Sequence, residues 1–535
     1  FGQLWGMHNT GQDGGTPDAD IDAPEAWGVT TGSKNIVVGV IDTGVDYTHP
    51  DLAANIWTNP GEIPGNGIDD DGNGFIDDMH GWDFANDDND PMDDHFHGTH
   101  VAGTIGAAGN NGAGIAGVCW TVNILPLKFL SGSGSGTSSD AVEAVYYATS
   151  MGVNLTSNSW GGGPFSQALK DAIDDAGANN ILFVAAAGNS STDNDAYPHY
   201  PSSYNSANVI AVAATTRNDV IAGFSCYGAA SVDLGAPGYH IYSTFPTYMT
   251  AKMTEYGFST DYETISGTSM ACPHVAGVCA LLWSTDTGTP YQRVKTAIMR
   301  SADPISALEG KCVTGGRLNA ASALDALSDT DPYLYAAGSV IDDDANPPSS
   351  GDGDGTVNWG ETVELAVTVR NDGATAAPGV TAVLTTADPN ATVIQSSASC
   401  GDIDAYSSAV SPADFVVQFA DEGPNGTVYF DLALSDTDGR TWNSTVGIYV
   451  VTWWRVSGVV RLDGQPFEGA RVFYYINSLD PQPGPALGYV PVSADGTYEF
   501  FTSPESGLTV FADYPGAIAP DEKDFTGGVA GSRAP

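Results

Sequence analysis

Four short apolar runs, IVVGVI (36–41), VNILPL (122–127), ILFVAA (181–186) and VIAVA (209–213), constrain the fold of this chain more than any other feature. They are strand-length, mostly continuous rather than alternating, and bounded by polar or glycine-rich turns. A strand that is apolar on both sides needs cover on both faces, which is the situation inside a parallel sheet. Between the runs, residues 139–151 and 166–178 repeat their apolar side chains at helical spacing. The alternation predicts an α/β layered domain with a mainly parallel sheet over residues 1–330.

Three stretches of that domain carry reactive groups. ISGTSMACPHVAG (265–277) sets one hydroxyl, Ser269, among small residues ahead of an apolar run that reads as a buried helix. A helix N-terminus offers unpaired N–H groups to an anion forming beside that serine. A serine capping an ordinary core helix would look the same. The first apolar run delivers Asp42 at its end, and HGTHVAGTIGA (97–107) opens a small-residue helix with His97. An Asp, a His and a Ser on separate elements are the parts of an activated nucleophile, and here they come in that chain order.

VIDTGVD, HGTHVAG and GTSMACPHVAG match the three signature stretches of the subtilisin-like serine peptidases, and the chain resembles that family. The likeness extends from LWGMHNTGQ near the start to GGRLNAASAL (315–324). It implies a secreted endopeptidase, freed of a signal and an inhibitory pro-segment, acting on protein or peptide substrates. In it Asp42 orients His97, His97 takes the proton of Ser269, and His100 has a structural role. Asn189, after ILFVAAAG, would be the side-chain donor to the oxyanion, although a plain turn residue fits that place too. Phe96 stands where most relatives carry glycine and is expected to narrow access to the site.

SGSGSG, with Gly134 and Gly136, and NSWGGG, with Ser159, Trp160 and Gly161, match the segments that flank an extended peptide. Flexible surface loops are the alternative for such glycine runs. The resemblance lines the pocket for the residue before the scissile bond with Trp160, Gly161, Ala185, Gly188 and Ala196. Asp193 and Asp195 nearby are expected to make it unfavourable to acidic side chains.

Sixty-five acidic residues against 17 Lys and Arg leave a net charge of −48, which speaks against nucleic acid and anionic membrane as partners. Such an excess calls for bound cations or a saline medium, and composition does not choose between them. GNGIDDDGNGFIDD (65–78) is more specific. It spaces Asp69, Asp71 and Asn73 by two, then supplies Gly74, the Phe75 carbonyl and Asp77, in the pattern of an EF-hand-type loop. His80 holds the place of the final Glu, so Asp78 or another acid must complete the shell. Hard oxygen donors point to Ca²⁺ as the cofactor. The resemblance adds Asp83, Asp88 and Asp90 as a second calcium site and Asp51 with Asn111 as a third. The acidic loop of Asp342, Asp343, Asp344, Asp352 and Asp354 is a further cation candidate.

No run approaches the ~18 apolar residues of a membrane-spanning helix, so no membrane insertion is expected. Cys272 and Cys279 lie two helical turns apart and read as buried thiols, and at most two disulfides are expected among the six cysteines. From Asp331 alternating segments predict a β-sandwich over residues 331–453. Residues 454–526 resemble the small carboxypeptidase-regulatory-like β-domain, and 527–535 read as a flexible tail. The two all-β domains hold no reactive constellation. They are expected to be dispensable for the chemistry and suited to binding a surface or polymer, on a monomeric chain. Two rivals remain: a catalytically idle binding or adhesion protein on a peptidase scaffold, and a serine esterase.

Overall fold

The apolar runs all enter one sheet. Its parallel strands are β1 (Gly32–Asp42), β2 (Trp82–Asp83), β3 (Thr121–Lys128), β4 (Leu155–Asn158), β5 (Leu182–Ala186), β6 (Val209–Thr215) and β7 (Leu234–Pro237). The strands β8 (Ile241–Thr244) and β9 (Tyr262–Ile265) form a separate antiparallel pair, while β10 (Asp303–Pro304) and β11 (Gly316–Arg317) extend the edge of the sheet. The order β10-β11-β7-β6-β5-β4-β1-β3-β2 puts β4 and β1 beside each other near the middle. The computed structural model describes residues 1–351, 353, 355–411 and 415–451, and beyond these 454–459, 461–462, 465–466, 471–477, 486–493, 497–502, 507–513 and 532–533.

The helices are α1 (Ala23–Trp27), α2 (His97–Gly106), α3 (Ser138–Ser150), α4 (Gln167–Ala178), α5 (Ala251–Tyr256), α6 (Thr268–Thr285), α7 (Tyr291–Ser301) and α8 (Ala320–Ala326). Strand β5 shows why both faces had to be apolar. Leu182, Val184 and Ala186 join the core layer of α2 and α6, whereas Phe183 and Ala185 join the layer of α3 and α4. Thr137 and Ser166 cap α3 and α4 by accepting the Asp140 and Leu169 N–H groups.

Helix α6 is buried almost from end to end. Its N-cap is Gly267, so Ser269 is the second helical residue rather than the cap. Pro273 lies inside the helix and has no N–H to give the Ser269 carbonyl four residues back. Ser159 Oγ donates to that carbonyl at 2.9 Å instead, tying the end of β4 to the start of α6.

A second unit follows. One sheet holds β12 (Leu334–Asp342), β14 (Thr362–Asn371), β16 (Ala391–Gln395), β18 (Ser407–Val410) and β19 (Phe415–Phe419). The other holds β13 (Val357–Asn358), β15 (Ala377–Thr385), β17 (Ser397–Ile403), β20 (Gly426–Ser435) and β21 (Thr441–Val451). They enclose one core, with Val363, Leu365 and Val367 from the first facing Val428, Phe430 and Leu432 from the second. Beyond it, residues 454–459 pair antiparallel with 497–502, and 471–477 pair with 486–491 and 507–513. Of the stretch read as a tail, Ser532 and Arg533 pair with Arg455 and Trp454, and the rest lies outside the described residues. Among the described residues, no helix is long and apolar enough to cross a membrane.

The expected disulfides are not present: all six cysteines are free and buried. Each sulfur has local company in its own piece of core. Cys119 Sγ lies 3.4 Å from the Thr121 carbonyl, Cys272 Sγ 3.4 Å from that of Val184, and Cys226 Sγ 3.2 Å from the Thr192 hydroxyl. Cys400 is packed inside the sandwich. Titration with an aromatic disulfide reagent is expected to find six thiols in the denatured, unreduced chain and almost none in the native one. A count of two or four after denaturation would mean that bridges form.

Candidate active site

Asp42 is the last residue of β1 and wholly buried. Its Oδ1 accepts the Thr43 N–H at 2.7 Å and stands 2.7 Å from His97 Nδ1. The approach of α2 to β1 depends on Gly98, where a β-carbon would stand 2.0 Å from the Gly44 carbonyl oxygen. Burial pulls the His97 pKa down, but the Asp42 carboxylate and, more weakly, Asp93 outweigh it, and the net shift is upward. His100 is buried with Nε2 3.0 Å from the Ile241 carbonyl, and burial lowers its pKa to about 3. It has no role as a base.

Asp93 escaped the sequence reading. Buried four residues ahead of His97, it accepts Thr43 Oγ1, the His95 N–H, and both the N–H and hydroxyl of Thr99. Thr43 Oγ1 in turn accepts the Gly98 N–H, so one carboxylate holds the turn of Asp42 and the first turn of α2 together. Burial raises its pKa to about 6. Phe96 does not narrow the site: it is buried, stacked on Phe245 and edge-on to Phe258.

Ser269 Oγ donates to the Ser159 carbonyl at 3.1 Å, the reciprocal of the bond from Ser159 Oγ to the Ser269 carbonyl. Asn189 follows β5 and is exposed. Its Oδ1 accepts the Thr268 N–H at 2.9 Å and the Thr268 hydroxyl at 3.1 Å, which leaves Nδ2 to face the site. A β-carbon on Gly267 would stand 3.6 Å from Ser269 N and 3.7 Å from Asn189 Nδ2, so both donors surround one point. Thr268 also accepts the Gly188 N–H and thereby fixes the loop that carries Asn189. A threonine inside a signature stretch gives no sign of this until α6 and β5 are side by side.

A cavity of about 490 Å³ opens beside His97 and is lined by Gly134, Gly136, Ser159, Trp160 and Gly161. Trp160 packs edge-on against Phe129. Three other expected pocket residues, Ala185, Gly188 and Ala196, do not line this cavity. Ala185 is wholly buried in the layer under α3 and α4, because the alternation of β5 turns it away from the side that Val184 faces. Ala196 belongs to a turn in which the Ala196 and Tyr197 N–H groups bond the Asp193 carbonyl. Three residues on, the His199 side chain lies against Gly161, which lines the cavity, and against Gly188, which does not. A β-carbon on Gly161 would stand 2.3 Å from its Cε1, and one on Gly188 2.9 Å from its Cδ2. Burial lowers the His199 pKa, so the ring is neutral at neutral pH.

Asp193 and Asp195 are also committed. Asp193 Oδ1 accepts the Asp195 N–H and Oδ2 accepts the Tyr429 hydroxyl at 2.9 Å, while Asp195 accepts the Ala230 N–H at 3.0 Å. These hydrogen bonds come from neutral donors, so they fix both carboxylates in place without removing their charge.

In the acidic loop, ligand atoms of Glu62, Asp69 and Asp71 lie within 4.8 Å of one another. Glu62 lies upstream of the EF-hand-type pattern and was not part of it. Asp69 accepts the Gly72, Asn73 and Gly74 N–H groups, and Phe75 anchors the loop edge-on to Tyr147. Asp77 and Asp78 turn away: Asp77 accepts the Asn66 and Gly67 N–H groups, and Asp78 accepts Asn59, Asn73 and the Tyr147 hydroxyl. Of the second set, Asp83 accepts Asn86, Asp88 accepts the Asp90 N–H, and Asp90 accepts the Tyr47 hydroxyl. No metal-holding group of three such residues forms there among the described residues. Asp51 and Asn111 do meet, at 2.7 Å, with Tyr262 and the Ile115 N–H on the other carboxylate oxygen. In the sandwich loop, Asp343 accepts the Gly355 N–H and Asp344 the Asn346 N–H, and Asp342 accepts the Asp344 N–H. Asp352 and Asp354 lie outside the described residues.

A mainly parallel sheet with the His97–Asp42 contact at the carboxyl end of β1, and with Ser269 bonded to the residue that follows β4, is here the fold of a serine endopeptidase. Residues 33–333 match the Subtilase family, and the chain belongs to it. It is 38% identical to thermitase of Thermoactinomyces vulgaris over 304 residues, 57% of this chain and 93% of that protein. It is 39% identical to the thermophilic serine proteinase of Bacillus sp. (strain AK1) over 56% of this chain and 64% of that one. It is 38% identical to subtilisin DY of Bacillus licheniformis over 54% of this chain and 90% of that one.

Because the base must be neutral to accept a proton, the raised His97 pKa places the acidic limb of kcat/KM above the ordinary histidine value of about 6.5. Asp42→Asn is expected to move that limb to lower pH while greatly reducing kcat, as a pH–rate profile will show. Thr268→Val, which removes the hydroxyl bonds to Asn189 Oδ1 and from the Gly188 N–H but keeps the backbone N–H bond to Asn189, is expected to lower kcat by about threefold to tenfold with KM nearly unchanged.

Proposed function

We propose that the chain is a secreted, calcium-stabilised endopeptidase that works through Asp42, His97, Ser269 and Asn189. The observation that carries this reading is the 2.7 Å contact between His97 Nδ1 and Asp42 Oδ1, at the strand end that faces the start of α6. For reaction the Ser269 hydroxyl leaves the Ser159 carbonyl and gives its proton to His97 Nε2 as Oγ attacks the peptide carbon. Negative charge on the carbonyl oxygen meets the Ser269 N–H and Asn189 Nδ2. His97 then protonates the departing amine, the C–N bond breaks, and water repeats the sequence on the acyl-enzyme. Ser269→Ala in the full chain tests this: casein hydrolysis and fluorophosphonate labelling should both vanish with folding intact. Cleavage at the wild-type rate would overturn it.

The substrate class follows from the glycine-lined cleft, which suits an extended backbone. With a neutral His199 against Gly161 and Gly188, the residue before the scissile bond is compact and uncharged. His199→Gly should raise kcat/KM for Phe relative to Ala at that position by about tenfold or more.

Glu62, Asp69 and Asp71 form an all-oxygen set suited to calcium, which would neutralise their mutual repulsion and hold the loop closed. A cation bound only by the folded form adds about 2.7 kcal/mol at a hundredfold excess over its Kd. Chelation should therefore lower Tm and speed autolysis, and Glu62→Gln should blunt the Tm response. An unchanged Tm after full exchange would remove calcium from the reading.

A further inference from the structure

The accessory sandwich reaches the catalytic unit at the segment that carries His199. On its outer face Tyr429 of β20 and Tyr449 of β21 come close, since Tyr429 pairs with Gly447 and Tyr449 with Thr427. The Tyr429 hydroxyl donates to Asp193 Oδ2 at 2.9 Å. Tyr449 meets Tyr197, hydroxyl to hydroxyl at 3.1 Å and ring edge to ring face at 5.8 Å. A β-carbon on Gly447 would crowd the Tyr429 ring at 3.4 Å, so the glycine leaves that ring its place.

Asp193 is the hub of this segment. One carboxylate oxygen takes the Asp195 N–H, its carbonyl takes the Ala196 and Tyr197 N–H groups, and the other carboxylate oxygen holds the sandwich. Next to it, buried Asn194 donates to the Ala187 carbonyl at 2.9 Å, beside Gly188 and Asn189. The turn then hands the chain through Pro198 to His199, against Gly161 and Gly188. The sandwich has a second, separate attachment at α7, where Thr296 Oγ1 donates to the Asp372 carbonyl and Arg300 bonds the Asp331 and Pro332 carbonyls. Docking is therefore secured without the two tyrosines.

We propose that the β-sandwich is part of the substrate-selecting machinery: Tyr429 and Tyr449 are positioning residues that hold the Asp193–His199 segment and so set the wall of the pocket for the residue before the scissile bond. This rests on the pocket reading given above, and it replaces the expectation that the accessory domain is dispensable for the chemistry. The tyrosines touch no substrate. They act by fixing where His199 stands, and an ordered wall improves KM for a side chain that uses it, by about threefold to tenfold.

The test uses the full chain and short chromogenic peptides that differ only before the scissile bond, with Gly, Ala, Leu or Phe there. In Tyr429→Phe/Tyr449→Phe, KM for the Ala and Leu peptides is expected to rise about threefold to tenfold, with kcat within twofold and the Gly peptide unchanged. Thr296→Val, which loosens only the α7 attachment, should leave the whole profile as in the wild type. Equal losses on every peptide, Gly included, would mean a purely structural contact and overturn the proposal. So would a double variant whose profile matches the wild type while His199→Gly still shifts selectivity. If His199→Gly itself leaves selectivity unchanged, the pocket reading fails first and the positioning role falls with it. Thermal melts of each variant separate lost folding from lost positioning.

Discussion

The burial of α6 under the sheet governs the rest of the structure. A helix with no solvent-facing stripe must be covered by β1, β4, β5, β6 and β7 on one side and by α2 on another. Within the first turn that packing leaves Ser269 partly open between buried Thr268 and Met270, where the strand ends also emerge. Ser269 therefore meets the loops after β4 and β5 without any flexible tether. The proline inside the helix sharpens the arrangement, because the carbonyl it leaves unpaired is Ser269's own, and Ser159 takes it.

Electrostatics is handled locally rather than by averaging. Many of the carboxylates behind the net charge of −48 are held by particular donors near the active site. Asp42 holds His97, Asp93 ties the first turn of α2, Asp78 is closed off by two amides and Tyr147, and Asp193 is shared between its own turn and the sandwich. The oxygens of Glu62, Asp69 and Asp71 converge with no positive side chain among the three, while each carboxylate also accepts backbone N–H groups.

The accessory domain is bound to the catalytic unit through chemistry that differs from one end to the other. At α7 the contacts run from side chains to the backbone of the linking segment, and Arg300 also lies over the Tyr333 ring at 5.2 Å. At the pocket segment they are phenol hydroxyls on a carboxylate and on another phenol. The first kind fastens; the second orients, because a hydroxyl bonded to one carboxylate oxygen favours one geometry.

The sheet, the helices that cover it and the reactive Asp, His and Ser were legible in the sequence because each rests on local pattern. Apolar runs such as ILFVAA can be satisfied only by burial on both faces, and β5 alternates its side chains between the two layers as that requires. Asn189 was legible for the same reason, as the polar residue just past a buried strand. What stayed hidden was set by contact between distant segments. Glu62 lies outside the loop whose Asp69 and Asp71 it joins, Thr268 orients Asn189 from 79 residues away, and Tyr429 reaches Asp193 across 236. His199 is the clearest case. The family resemblance placed Ala196 at the pocket, whereas the turn closed on the Asp193 carbonyl holds that residue and the imidazole of His199 lies against Gly161 and Gly188. The sequence by itself marked the candidate reactive groups and determined what layers must cover them, since burial and periodicity act residue by residue. Only the tertiary structure decided which side chains stand behind those groups, because contacts such as His199 against Gly161 and Gly188 join segments that no motif links.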